Sequence, residues 1–215
     1  MPRPSNTQLR RRQIVEALLA VMAERGYDGA SVQAIARRAG LAPGLVHYHF
    51  TSKQEILLEA VRELARVAER RFEALARRAK TPRDRLRAFI DSRLATGKGA
   101  SPPAVAGWVV VGAEAVRQPE VRAAHEAAIR AQLVLLERLL GEHAGHALKD
   151  GEARQLAAIV LAAIEGAFQL SASARGVMPA GYAAKALMDL VDSRLAALHA
   201  APARSHRRAV AFEKQ

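Results

Sequence analysis

The sequence predicts an all-α protein, and three observations predict it. Apolar residues recur three and four positions apart over long stretches. Ala, Leu, Val, Arg and Glu dominate a chain in which only 4% of residues are aromatic. Gly and Pro clusters break the periodic segments at helix-length intervals, no segment reads as a strand, and no fixed-period repeat marks a solenoid. The expected architecture is about nine helices.

Each element has its own local reason. From Leu9 to Arg25, Ile14, Leu18 and Met22 lie on one helical face and Gly26 supplies a stop. Ser31 caps a short helix whose Val32, Ile35, Ala36 and Ala39 face inward, ended by Gly40. Leu41 and Ala42 turn the chain, Pro43 suits a first helical position, and Gly44 to Phe50 holds about two turns. Thr51-Ser52 then caps a long helix reaching Ala79, with Glu55 spaced for a capping box with Ser52. Further helices follow over Pro82 to Thr96, Pro103 to Val116, Glu120 to Leu140, Glu152 to Ala174 and Gly181 to His199. Breaks fall at Gly97 to Pro103, Gln118-Pro119, Gly141 to Gly151 and Gly176 to Pro179.

Charge narrows the partner. Lys and Arg number 33 against 21 Asp and Glu, and the net charge of +12 attracts polyanions such as nucleic acid. No apolar run approaches the roughly 20 residues of a bilayer span, so no membrane partner is expected. Met1 to Thr7 lack the apolar core of a signal peptide, which points to the cytoplasm. With no cysteine, disulfides, thiolate metal sites and cysteine nucleophiles are excluded. Neither a cofactor nor a resident metal is expected. Glu142, His143 and His146 have ligand-like spacing, but in a Gly-flanked connection they read as surface residues. No phosphate loop, nucleophile elbow or HExxH run is present, so no enzyme activity is expected.

Ser31 to Lys53, SVQAIARRAGLAPGLVHYHFTSK, places two short helices about a tight turn, the geometry of a helix-turn-helix. In such a unit the first helix lies over the DNA backbone and the second enters the major groove. Gly44, lacking a Cβ, allows close approach there, and the helix N-terminus attracts phosphate. Val46 and Phe50 fall on the inward side.

These residues carry a resemblance. Gly40-Leu41-Ala42-Pro43-Gly44-Leu45-Val46-His47-Tyr48-His49-Phe50, followed by Lys53, is similar to the signature of the TetR/AcrR repressors, and Gly26 to Val32 with the upstream helix match too. The likeness covers about the first 60 residues. It implies that Tyr48 and Lys53 bind phosphates, that Ser31 and Arg38 support them, and that Pro43, Gly44, Leu45 and His47 lie nearest the bases. His49 stays open between packing and a phosphate contact. Ala42 lacks a capping hydroxyl, Leu45 replaces a common Thr and His47 a common Tyr. Leu45 can meet a thymine methyl, and His47 can donate to a base or a phosphate.

Trp108 to Val111 and Gln118-Pro119-Glu120-Val121 resemble the C-terminal domain of the choline-responsive betaine-operon repressors within that family. A cationic ligand would want an aromatic cage with a nearby acid, for which Trp108, Phe168, Tyr182 and Phe89 are the aromatic candidates. The pocket candidates are Trp108, Val111, Glu114, Glu165, Phe168 and Gln169. Glu165 interrupts the apolar run Ile159 to Leu170 and reads either as a ligand- or partner-facing carboxylate or as part of a solvated face.

The domains expected are a helix-turn-helix DNA-binding unit over 1–53 and a helical ligand-binding and dimerisation unit over 54–200, with 54–79 as the connector. Residues 201–215 read as a disordered basic tail. By resemblance, 152–174 and 181–199 pair with their mates in a homodimer. Two recognition helices about 34 to 36 Å apart would then read an inverted-repeat operator. The function implied is a repressor released from double-stranded DNA by a small-molecule effector, acting by population shift. Arg3 to Arg12 either reach a minor groove or neighbouring phosphates, or form a solvated terminus. The rival is an architectural protein that coats DNA by charge alone.

Overall fold

The computed structural model describes residues 6–94, 102–145, 148, 151–174, 176–179 and 181–200, with side chains from 104 onward in the second stretch. Among these there are nine helices and no strand: α1 (Asn6–Arg25), α2 (Val32–Ala39), α3 (Pro43–His49), α4 (Lys53–Ala76), α5 (Pro82–Arg93), α6 (Pro102–Arg117), α7 (Pro119–Ala144), α8 (Glu152–Ser173) and α9 (Tyr182–Ala200). The all-α architecture is the one the sequence predicts. His146, Arg3 and the tail 201–215 lie outside the described residues.

The helix ends follow from their caps. Ser31 Oγ accepts the Ala34 N–H at 3.1 Å, and α2 closes on Gly40, whose φ of +65° is the left-handed conformation a side chain disfavours. Ala42 makes no side-chain cap, so α3 relies on Pro43 to start it. The box expected at Ser52 is redistributed. Ser52 Oγ accepts the Glu55 N–H at 3.1 Å, but the Glu55 carboxylate accepts from the N–H and hydroxyl of Thr51 rather than from Ser52. The reciprocal box forms instead at Thr81 and Asp84, where α5 begins.

Four boundaries differ from the sequence reading by three residues or more. α1 starts at Asn6 rather than Leu9. α4 ends at Ala76 rather than Ala79, and α5 at Arg93 rather than Thr96. α7 runs through Gly141 to Ala144, because the left-handed stop is Gly145, with φ of +68°.

One core runs through the molecule. Ile14, Leu18, Ile35, Leu57, Phe89, Leu136 and Ile164 are all essentially inaccessible within it. α4 packs on α1, α5, α6 and α7, so the helix after the turn motif is common to both ends of the chain. α6 also lies directly on α1, where Gly107 has no side chain to hold the two apart. α8 corrects the reading that no segment is long and apolar enough to cross a membrane, since by length and composition this helix is. In this fold its Leu156, Val160, Leu161 and Ile164 are buried against neighbouring helices.

Leu18 sits on α1 with no exposed surface. Leu18→Ala is expected to lower unfolding stability by about 3 kcal/mol through lost transfer energy and the cavity left behind. Urea denaturation monitored by circular dichroism measures it.

Candidate functional site

α1 holds the turn motif in place by tying off the ends of the two helices that form it. Gln13 Nε2 donates to the carbonyl of Ala39, the last residue of α2. Arg11 Nη1 donates to the carbonyl of His49, the last residue of α3, and its guanidinium lies 4.0 Å over the Phe50 ring. A cation at a helix C-terminus meets the negative end of the helix dipole as well as an orphan carbonyl. Arg11 also approaches Glu55 at 3.5 Å, joining α1, α3 and α4 through one side chain. Arg12 pairs with Glu63 and Arg10 with Gln13. This part of the basic arm is therefore a helical brace, not a solvated terminus.

The opposite face of α3 is open. Val46 and Phe50 are buried, while Pro43, Gly44, Leu45, His47 and Tyr48 are exposed, Tyr48 to 79%. A Cβ placed on Gly44 would meet nothing within 4 Å, so the approach to α3 is clear. His49 turns inward to 9% exposure, edge-on to Tyr48 with ring centroids 5.1 Å apart, which is the packing alternative. Ser31 spends its hydroxyl on its own helix. Arg38 pairs with Glu24 at 2.7 Å on the surface. Lys53 Nζ donates to the Tyr27 carbonyl at 2.8 Å and lies 4.0 Å over that ring, leaving two of its three N–H donors beside α3.

A second site is a half-open cavity of about 180 Å³ in the helical half, lined by residues of α4 to α8. Trp108 and Phe168, two of the pocket candidates, line it. Glu165 meets neither of its two expectations alone: both carboxylate oxygens accept from the Trp108 indole N–H, at 3.0 and 2.9 Å. Burial holds its carboxyl above the ordinary glutamate range, opposed by that hydrogen bond and by the charge of Arg93.

Three candidates belong elsewhere. Val111 is fully buried core away from the cavity. Glu114 is buried near the turn motif, accepting from Gln118 Nε2 at 2.8 Å and adding to the upward push that burial gives the Tyr27 phenol. Gln169 is on the exposed side of α8, one residue round from Phe168. Arg93 and Gln132, which the sequence reading passed over, form much of the cavity's polar wall. Arg93 follows the apolar stretch Leu86 to Ile90 on a buried face, the one signal that could have marked it. His143 pairs with Asp192 at 2.7 Å, and no group of three metal-ligating side chains forms among the described residues.

Comparisons with known proteins converge on one description. The family description for bacterial regulatory proteins of the tetR family matches residues 14–60, and that for the C-terminal domain of BetI-type transcriptional repressors matches 82–196. The chain is similar to the HTH-type transcriptional regulator BetI of Rhizobium meliloti, 36% identical over 57% of this chain and 60% of that protein. The matched region thus spans less than two thirds of that relative's length. The BetI regulator of Burkholderia thailandensis is 29% identical over 91% of this chain and 98% of its own. Among solved structures, a transcriptional regulator of Rhodococcus shares the fold with a TM-score of 0.73 at 24% identity, over 87% of this chain and 96% of that one. A regulator from Saccharomonospora viridis, solved in complex with choline, superposes with a TM-score of 0.70 at 25% identity, over 88% and 96%.

Glu165→Gln keeps an oxygen for Trp108 and removes a charge that burial disfavours. A carboxyl whose folded-state pKa is raised contributes stability present below its unfolded pKa and lost as pH rises through the folded one. The variant is therefore expected to melt above the parent at pH 7.5, with the gap closing toward about pH 4, where both chains carry a neutral group. Thermal melts across that range measure it.

Proposed function

The chain belongs to the TetR family of bacterial regulatory proteins, with a C-terminal domain of the BetI type, and from that premise we propose that it is a dimeric repressor that reads an inverted-repeat operator and is released by a small molecule. The observation that carries the reading is the exposed face of α3, where Gly44, Leu45, His47 and Tyr48 stand clear of the core while both ends of the turn motif are pinned from behind. Leu45 and His47 read base edges, Tyr48 and Lys53 take phosphates, and Pro43 and Gly44 let the backbone approach. Ser31 and Arg38 serve by holding α2 in place. The head is residues 1–53 and the effector and dimerisation unit 54–200.

Dimerisation is supported by an uncovered apolar face on the last two helices. Ile159 and Leu190 are 60% and 67% exposed, and Ala162, Ala163 and Gly166 leave open ground between them for a second copy's helices. Pairing through 152–174 and 181–199 places two α3 helices on one duplex, so that two modest half-site affinities combine. The effector occupies the cavity beside Trp108 and stabilises the dimer whose heads are wrongly spaced; by linkage, operator affinity falls by the same factor. The BetI name of the relatives and the choline in the Saccharomonospora structure support a ligand-responsive regulator.

Genomic fragments selected on the purified protein at physiological salt are expected to share an inverted repeat, with a preference over random DNA of about a thousandfold. Tyr48→Ala is expected to weaken binding to the selected fragment about tenfold with an unchanged melting temperature, because its ring touches little of the fold. Fragments without a common sequence, bound equally by both chains, would mean that DNA is coated by charge.

A further inference from the structure

The cavity wall carries two guanidiniums, Arg71 and Arg93, and one carboxylate, Glu69, a balance that favours an anion over a cation. Arg93 enters it 7% exposed, which is to say more than nine-tenths buried. Its Nε donates to Gln132 Oε1 at 2.8 Å, and its Nη1 to the Ala68 carbonyl at 3.1 Å and Ser92 Oγ at 2.8 Å. Every one of these acceptors is neutral. The guanidinium also lies 4.4 Å over the Phe89 ring. Glu69 and Glu165 act on it only at longer range, and among the described residues none forms an ion pair with it. Burial lowers its pKa to about 10. A guanidinium this desolvated is costly unless an anion meets it, and a planar carboxylate matches the fork of its N–H groups. Nη2 makes no hydrogen bond to a described residue, so among the described residues one prong of that fork is unspent.

The rest of the wall selects the body that an anion can carry. Leu64, Val67, Leu135 and Phe168 are apolar, and a dry cavity of about 150 Å³ is known to hold a benzene ring. The space of about 180 Å³ is on that scale. A quaternary ammonium there would face Arg93 and also Arg71, a second guanidinium in the lining. Of the acids that could balance it, Glu165 has both oxygens on Trp108, and Glu69 is a single exposed carboxylate in the lining set against the two guanidiniums.

We propose that the effector is a small aryl or branched aliphatic carboxylate, with its carboxylate on the free prong of Arg93 and its apolar body against Leu64, Val67, Leu135 and Phe168. This rests on the reading of the cavity as the effector site, and names the chemistry that site takes.

Trp108 is the chain's one tryptophan and lines the cavity, so its fluorescence reports occupancy without reference to DNA. The full chain is titrated with benzoate, isovalerate, benzamide and choline. At least one carboxylate is expected to give a saturable change, with benzamide at least tenfold weaker than benzoate and choline without effect. Arg93→Gln is expected to erase the preference for benzoate over benzamide. Should that variant lose its helical signal, Arg93→Lys, which keeps the charge but not the fork, is expected to weaken benzoate about tenfold and leave benzamide where it was. Equal binding of benzoate and benzamide, saturable choline binding tighter than both carboxylates, or no saturable change with either carboxylate would each overturn the assignment. Release of the selected operator is followed separately. Carboxylate binding without release leaves the ligand class standing and removes the effector role, whereas release by choline removes the ligand class and leaves the regulator.

Discussion

The structure depends on one close approach. At Gly107, α6 comes near enough to α1 that a Cβ would sit 3.2 Å from a methyl of Leu19, and this contact joins the half that holds the cavity to the half that presents α3. Trp108, the next residue, lines the cavity, so the seam and the cavity wall share one turn of helix. On the other side, α1 carries Gln13 and Arg11, whose side chains secure the ends of α2 and α3. A continuous path of packed and hydrogen-bonded groups therefore runs from the cavity wall through α6 and α1 to the exposed face of α3. Polar contacts flank it, Gln54 to Glu120 at 3.2 Å and Arg117 to Asp28 at 3.6 Å, the latter too exposed to contribute much. Packing, not ion pairing, fixes the relation of the two halves.

Charge is distributed differently from what its total suggests. The surplus of +12 reads as a polyanion-binding signal, yet many arginines are engaged within the chain. Arg62, Arg66 and Arg70 lie along α4 against Glu59 and Glu63, and Arg83 pairs with Asp192 across α5 and α9. Arg11 is a brace and Arg93 a cavity wall. The face expected to meet DNA is built from Leu45, His47 and Tyr48, with Lys53 as the cation beside them. Its selectivity comes from shape and hydrogen-bonding groups held on a rigid turn, with the basic remainder supplying general attraction.

The helices were legible because each is decided locally. Period, Ser31 and Ser52 caps, Pro43 and the glycine stops sit within a few residues of the ends they determine, and the burial of Val46 and Phe50 follows from a helical wheel. The ends that were misplaced include one where a glycine tolerated the helix, as Gly141 does. The turn motif was legible as a pattern, though not its bracing by Arg11 and Gln13, which depends on residues 38 and 26 positions apart meeting in space. The cavity was half legible. Trp108 and Phe168 stand out as rare aromatics, and Glu165 as a charge in an apolar run. Arg93 and Gln132 matter only because α5 and α7 face each other there, and Gln169 lies outside the lining because one helical step separates the cavity side of α8 from its outer side.

If the seam between α1 and α6 sets the aim of α3, Gly107→Val must disturb it. Valine adds branched carbon where even one Cβ is crowded, so α6 has to move off Leu19. Operator affinity of the folded variant, measured by fluorescence anisotropy with the selected fragment, is predicted to fall tenfold or more while Trp108 still reports ligand in the cavity. A folded variant that binds the operator as tightly as the parent would contradict the dependence, because the position of α3 would then be independent of the seam.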